Sequence, residues 1–227
     1  MMTHASRRKS APIHGICLFL IGASMSVNAQ VSEPQPDRGS VLPGFIITLK
    51  GDTVQGYLLN INLWMNQHMT FFYTDPNDRE NRVKYKPREI KAYQVGSRYY
   101  ESMKYPFSYS IYPCNFILRK VDGPMKYYVW YFNEDRSKLM SPDVSLAELT
   151  KAFVFQEDDL WKDEFAKKED GQFIKFDFKF LMKFAKNMSA YLSDDPELSE
   201  KVLSKSPGYH SVDIEKIARE YNAGKSN

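Results

Sequence analysis

The strongest constraint on this chain is the two-residue rhythm of its apolar side chains after Gly44. Phe45, Ile47 and Leu49 alternate with Ile46, Thr48 and Lys50; beyond Gly51-Asp52, Tyr57, Leu59, Ile61 and Leu63 alternate with Leu58, Asn60 and Asn62. Successive side chains of a strand point to opposite faces, so two such runs around a Gly-Asp turn specify a hairpin. Further strands are expected over 69–74, 82–86 and 90–95, broken by Asp75-Pro76-Asn77-Asp78 and by Pro87. A second hairpin joins 116–121 to 125–132 through Asp122-Gly123, and a third joins 161–167 to 172–176 through Glu169-Asp170-Gly171. Between them, 145–150 suits a short helix and 153–155 a short strand.

The run Tyr127-Tyr128-Val129-Trp130-Tyr131-Phe132 is apolar or aromatic at every position, which predicts a strand covered on both faces. The period changes near the C-terminus. Leu181, Phe184, Met188 and Tyr191 recur at three- and four-residue steps, as on one face of a helix that docks onto a sheet. Asp195-Pro196 opens a second helix with Leu198 and Val202 as its stripe. A third, capped by Ser211, carries Ile214, Ile217, Ala218 and Tyr221. The expected fold is α+β: an antiparallel β-meander or small β-barrel over 44–176, then a helical subdomain of two or three helices over 177–224 packed on it.

The first 29 residues read as a signal peptide. Arg7, Arg8 and Lys9 precede a mostly apolar stretch from Ile13 to Val27, and Val27-Asn28-Ala29 suits cleavage before Gln30. The stretch is short for a membrane span, which needs about 20 residues, so no transmembrane anchor is expected after cleavage. Residues 30–43, polar and proline-rich, read as a flexible linker. The protein is therefore expected outside the cytoplasm: periplasmic, surface-associated or secreted.

Cleavage changes the charge. The whole chain carries 31 Lys+Arg against 28 Asp+Glu; the leader holds three basic residues and no acidic one, leaving 28 of each. Composition thus gives no support to nucleic-acid binding, which needs a positive surface. Past the leader, Cys114 stands without a second cysteine, and reads as a small apolar residue in or beside a strand. His68 and His210 are far apart and lack neighbours at ligand spacing, so no metal site and no cofactor are expected.

The stretch Gly44-Phe45-Ile46-Ile47-Thr48-Leu49-Lys50-Gly51-Asp52-Thr53-Val54-Gln55-Gly56 resembles the opening of a group of small exported bacterial proteins of unknown function. Asp194-Asp195-Pro196-Glu197-Leu198, Asp213-Ile214-Glu215-Lys216-Ile217 and Tyr221-Asn222 are similar to that group's other end. The resemblance implies an exported location and this architecture, and no particular chemistry. The order of the first strands, with Gly56 early in the second, also resembles the opening meander of SH3-like or Sm-like small barrels, where a glycine permits sharp strand bending.

No nucleophile elbow, zinc-binding helix, phosphate loop or dinucleotide fingerprint is present. The carboxylates Glu157-Asp158-Asp159 and Asp194-Asp195 would serve a glycan-directed hydrolase if two of them faced each other, but they read more simply as a solvated turn and a helix cap. Tyr99, Tyr100, Tyr105, Tyr109 and Tyr112 form the candidate ligand-binding set, an aromatic surface for a sugar or peptide, against the plainer reading that they cover the sheet. The expected function is a non-enzymatic binding or structural module of the bacterial envelope, with an envelope protein or glycan as partner. The alternatives are the hydrolase and a carrier holding a small apolar ligand in a barrel cavity.

Overall fold

The alternating runs pair with their neighbours as antiparallel strands. In the computed structural model, which describes residues 39–104, 114–132 and 161–225, these are β1 (Val41–Thr48), β2 (Thr53–Leu59), β3 (Thr70–Tyr73), β4 (Val83–Tyr85), β5 (Ile90–Val95), β6 (Arg98–Met103), β7 (Asn115–Val121), β8 (Met125–Phe132), β9 (Trp161–Lys168) and β10 (Phe173–Lys175). Their order across the sheet is β10-β9-β8-β7-β6-β5-β1-β2-β3-β4, so it is a meander in which β5 returns to pair with β1. The expected elements at 145–150 and 153–155 lie outside the described residues. The sheet begins three residues before Gly44: Val41 already pairs with Leu59, inside the stretch expected to be linker.

Gly44 and Gly56 face each other across β1 and β2. A Cβ on Gly44 would sit 1.9 Å from the Gln94 carbonyl oxygen, and one on Gly56 would sit 2.4 Å from the Phe72 ring. Both glycines thus leave room for a neighbour, which is what these positions require of the sequence.

The connection from β2 to β3 departs most from expectation. Alternation suggests that β2 runs on to Leu63, yet the strand ends at Leu59, and Asn60 to His68 are all buried around a 3-10 turn, Met65–Gln67. A buried backbone must have its polar groups satisfied, and here asparagine side chains do so. Asn66 Oδ1 accepts from the Ile61 and Asn62 amides at 3.0 and 3.1 Å, while its Nδ2 donates to Leu59 O at 3.2 Å. Asn62 Oδ1 accepts from the Met65 amide at 2.7 Å. Gln67 then reaches another part of the sheet. Its Nε2 donates to Tyr131 O at 2.6 Å and its Oε1 accepts from Tyr131 N at 2.8 Å, so its amide pairs with β8 as a strand would. Five strand steps separate β2 from β8, about 24 Å in a flat sheet at 4.8 Å per step. Because Asn66 ties the loop back to the end of β2, the sheet itself curls to bring β8 within reach.

The curled face is filled. Tyr93 stacks on Tyr100 at 4.8 Å, Phe116 meets Tyr93 edge-on at 4.9 Å, and Ile46, Leu58, Phe72, Ile90 and Leu118 close around them. The Tyr93 hydroxyl donates to Asn66 O, joining this core to the buried loop.

The same face of β8 and β9 carries the helices α1 (Phe178–Leu181), α2 (Phe184–Tyr191), α3 (Pro196–Leu203) and α4 (Ile214–Lys225). There are four because the expected stripe from Leu181 to Tyr191 breaks at Met182-Lys183, where Asn187 Nδ2 donates to the Phe180 carbonyl at 3.0 Å. Phe184, Met188 and Tyr191 are buried as expected, whereas Leu181 is exposed. Asp195 caps α3 through the Leu198 amide at 3.1 Å, as its sequence suggests. The last helix starts through a 3-10 turn, Ser211–Asp213, capped by His210 rather than Ser211.

Two polar contacts fasten these helices. Asn222 on α4 grips the β7–β8 turn: Oδ1 accepts from Met125 N at 2.7 Å, and Nδ2 donates to Asp122 O and Met125 O, both at 2.8 Å. Gly123, at φ +128°, gives that side chain its space. Lys168 of β9 is buried between the Tyr191 and Tyr221 rings at 4.7 and 4.9 Å, and its ammonium donates to Tyr191 O and to Asp194.

Two outcomes follow from this packing. Gly44→Ala should destabilise the fold by about 2 kcal/mol or more in urea unfolding, since a methyl group there must displace the Gln94 backbone. His68, which meets Trp64 edge-on at 4.9 Å, has its pKa pulled from 6.5 down to about 4 by burial. Its neutral form is favoured by folding, so its contribution is complete above pH 6.5 and is lost as pH falls from there towards 4. The loss should be on the order of 3 kcal/mol. Unfolding midpoints measured across that window should fall more steeply for the wild type than for His68→Gln.

Candidate functional site

Because the curled face is packed by rings and helices, the reverse of the sheet is the strand face left for surface contact. On β8 the alternation separates Tyr127, Val129 and Tyr131, which join the helix-side core, from Tyr128 and Trp130, which join a small cluster on the other side with Ile117 and Phe165. The aromatic run thus contributes to both faces, but only the helix side is covered by another layer. Tyr128 pairs with Phe165 across β8 and β9, and their rings stack at 5.2 Å.

The outer face has two ends of different chemistry. Beside the β7–β8 turn, Glu101 accepts from the Arg119 guanidinium and from the Tyr128 hydroxyl at 2.7 Å. Arg119 also pairs with Asp122 at 2.9 Å and lies 4.0 Å over the Tyr99 ring, which in turn contacts Phe45. Burial, and then the Glu101 charge, push the Tyr128 pKa far up, so its hydroxyl remains a donor at any ordinary pH. Burial likewise raises Tyr99, with Arg119 opposing. This end is a neutralised, hydrogen-bonded network that orders the face and offers no activated nucleophile.

The opposite end is aromatic. Trp130 stacks on Phe132 at 5.4 Å, and Phe132 faces its cross-strand partner Trp161 at 6.4 Å. Trp161 is 65% exposed, a large apolar area to leave uncovered. Antiparallel pairing puts the C-terminal ends of β6 and β8 and the starts of β7 and β9 at this same end.

The expected aromatic set is divided by this geometry. Tyr99 lies on the outer face. Tyr100, its neighbour in the strand, points the other way and is fully buried against Tyr93, so it belongs to the core and offers no surface. Tyr105, Tyr109 and Tyr112 lie outside the described residues, as do Glu157, Asp158 and Asp159. Trp130, Phe132 and Trp161 were not singled out as a group by sequence, because the pairing of β8 with β9 brings Trp161 from 29 positions away. Cys114 is half-buried beside β7, with Sγ 3.6 Å from Ser102 Oγ.

Asp194 and Asp195 do not form a catalytic pair. Asp195 caps α3, and both Asp194 oxygens are engaged, by Lys168 and by the Tyr221 hydroxyl. Burial alone would raise the Asp194 pKa, but those hydrogen bonds and the Lys168 charge outweigh it and hold the carboxyl well below its usual range. Glu220, nearby, is also held low: partial burial is outweighed by hydrogen bonds from Lys201 and Tyr209. A general acid needs the reverse shift. Among the described residues, no cluster of three or more His, Cys, Asp and Glu side chains could hold a metal ion, and no helix is long and apolar enough to cross a membrane.

No protein-family model, curated protein or solved structure matches this chain.

The division between faces has a measurable consequence. Tyr100→Ala should cost about 4 kcal/mol in urea unfolding, whereas Tyr99→Ala, on the half-buried outer side, should cost about 1 kcal/mol.

Proposed function

We propose that this protein is an exported, non-enzymatic binding module of the bacterial envelope, and that it engages an envelope protein or glycan through the aromatic end of its outer sheet face. The observation that carries this is the Trp130–Phe132–Trp161 row, brought together by strand pairing and left partly open to solvent. Aromatic rings on a rigid sheet bind apolar faces of peptides or sugars at little cost in side-chain ordering. The leader supports export: a basic start, an apolar stretch and small residues before Gln30. The likeness to small barrels is supported by β5 returning to β1 and by the curl that joins the β2–β3 loop to β8.

A hydrolase has less support, because the carboxyls near Asp194 are held ionised by their partners. So does a carrier, because Tyr93, Tyr100 and Phe116 occupy the curled face.

A photo-crosslinking residue placed at Trp161 in the native host should trap a discrete envelope component, while the same residue at Val83, exposed on the far edge, should not. The recovered protein should begin near Gln30. Equal crosslinking from both positions, or none from Trp161, would contradict recognition by the outer face; an intact leader on the recovered protein would contradict export.

A further inference from the structure

The exposed apolar surface at α1 is separate from the outer face. Phe176, Phe180 and Phe184 contact one another in sequence, edge-on at 5.3 and 6.3 Å, and fix this single helical turn to the core. The turn's other side carries Phe178, Leu181 and Met182, which are 79%, 37% and 68% exposed. Spacings of three and four residues place these side chains together on one helix face. Lys179, Lys183 and Lys186, close by in the sequence, are exposed as well. From Phe178 to Lys186 the sequence contains no acidic residue. Asp177, just before it, uses its carboxylate to cap the turn through the Phe180 amide at 2.8 Å.

We infer that this turn docks onto an anionic phospholipid surface, with Phe178, Leu181 and Met182 entering the interface and Lys179, Lys183 and Lys186 meeting the headgroups. Charge complementarity selects the occupant: an exposed apolar turn within a stretch that carries three exposed lysines and no acid suits a negatively charged bilayer. The shape agrees. The exposed side chains belong to a single helical turn, which a fluid interface accepts without a matching pocket. The contact lies on the membrane and does not span it, and three side chains give reversible binding. The inference needs neither export nor the aromatic row, so it can fail while the proposed function stands.

The test uses the full-length protein and floats it with phosphatidylglycerol–phosphatidylcholine vesicles and with pure phosphatidylcholine vesicles. Wild type should float with the first and not the second, and raising salt from about 0.1 M to about 0.5 M should release it. Phe178→Ser/Met182→Ser should reduce partitioning about tenfold or more, as should Lys179→Glu/Lys183→Glu. All four positions are exposed, so thermal unfolding should match wild type. The variants share the wild-type N-terminus, and so any lipid affinity of the leader is common to all. A Phe178→Trp reporter reads the turn directly: its emission should shift to the blue with anionic vesicles and be quenched by brominated acyl chains. Unchanged reporter emission, equal flotation of wild type and variants, or equal binding to neutral vesicles would overturn the inference. So would a wild-type dimer made monomeric by Phe178→Ser/Met182→Ser, which would assign this face to a second copy of the chain.

Discussion

A loop buried inside a protein must supply hydrogen-bond partners for its own backbone, and the Asn60–Met69 connection is where this fold meets that demand. The loop is largely buried, so the asparagines that look like solvent-facing residues in the sequence become its internal scaffold. Asn62 and Asn66 hold the 3-10 turn in shape, and Gln67 and the Asn66 carbonyl then connect it to β8 and β5. The curl of the sheet depends on these contacts, because they join strands that a flat sheet would keep far apart. Removing one amide would leave several buried groups unsatisfied at once, which costs more than the bond itself.

Curling divides the sheet between two tasks. The inner side is occupied by stacked tyrosines at one end and by four helices at the other, which accounts for most of the buried apolar surface. The reverse side is ordered by Glu101, Arg119 and Tyr128, whose hydrogen bonds fix the strands without needing a covering layer. The helical layer uses the same economy: Lys168 is buried, yet two tyrosine rings and Asp194 replace its hydration.

Much of this was legible in the sequence wherever a local rule acts alone. Alternation and turn residues locate β1 to β5 and β7 to β10, whereas β6 lies in a Tyr-rich stretch whose pattern suits a strand or a loop equally, and the aromatic run at 127–132 places apolar side chains on both faces of β8. The pattern misled where one spacing has two meanings. Ile61 and Leu63 continue the alternation of β2, but the buried loop takes both them and the asparagines between them inward. Leu181 fits the stripe of Phe184 and Met188, yet the helix breaks before Phe184 and turns it outward. The candidate surface was the least legible part. Tyr99 and Tyr100 are equivalent as composition and opposite as geometry, and the meeting of Phe132 with Trp161 is a matter of register between distant segments.

The grip of Asn222 on the β7–β8 turn spans 97 to 100 positions of the chain. Synthesis proceeds from the N-terminus, so that hairpin emerges from the ribosome long before the residue that completes its turn. The helical layer cannot close over Met125 until the last helix is made. A contact of such high sequence separation delays the final step of folding, so the β7–β8 turn gains its last hydrogen-bond partners only when the chain is nearly whole.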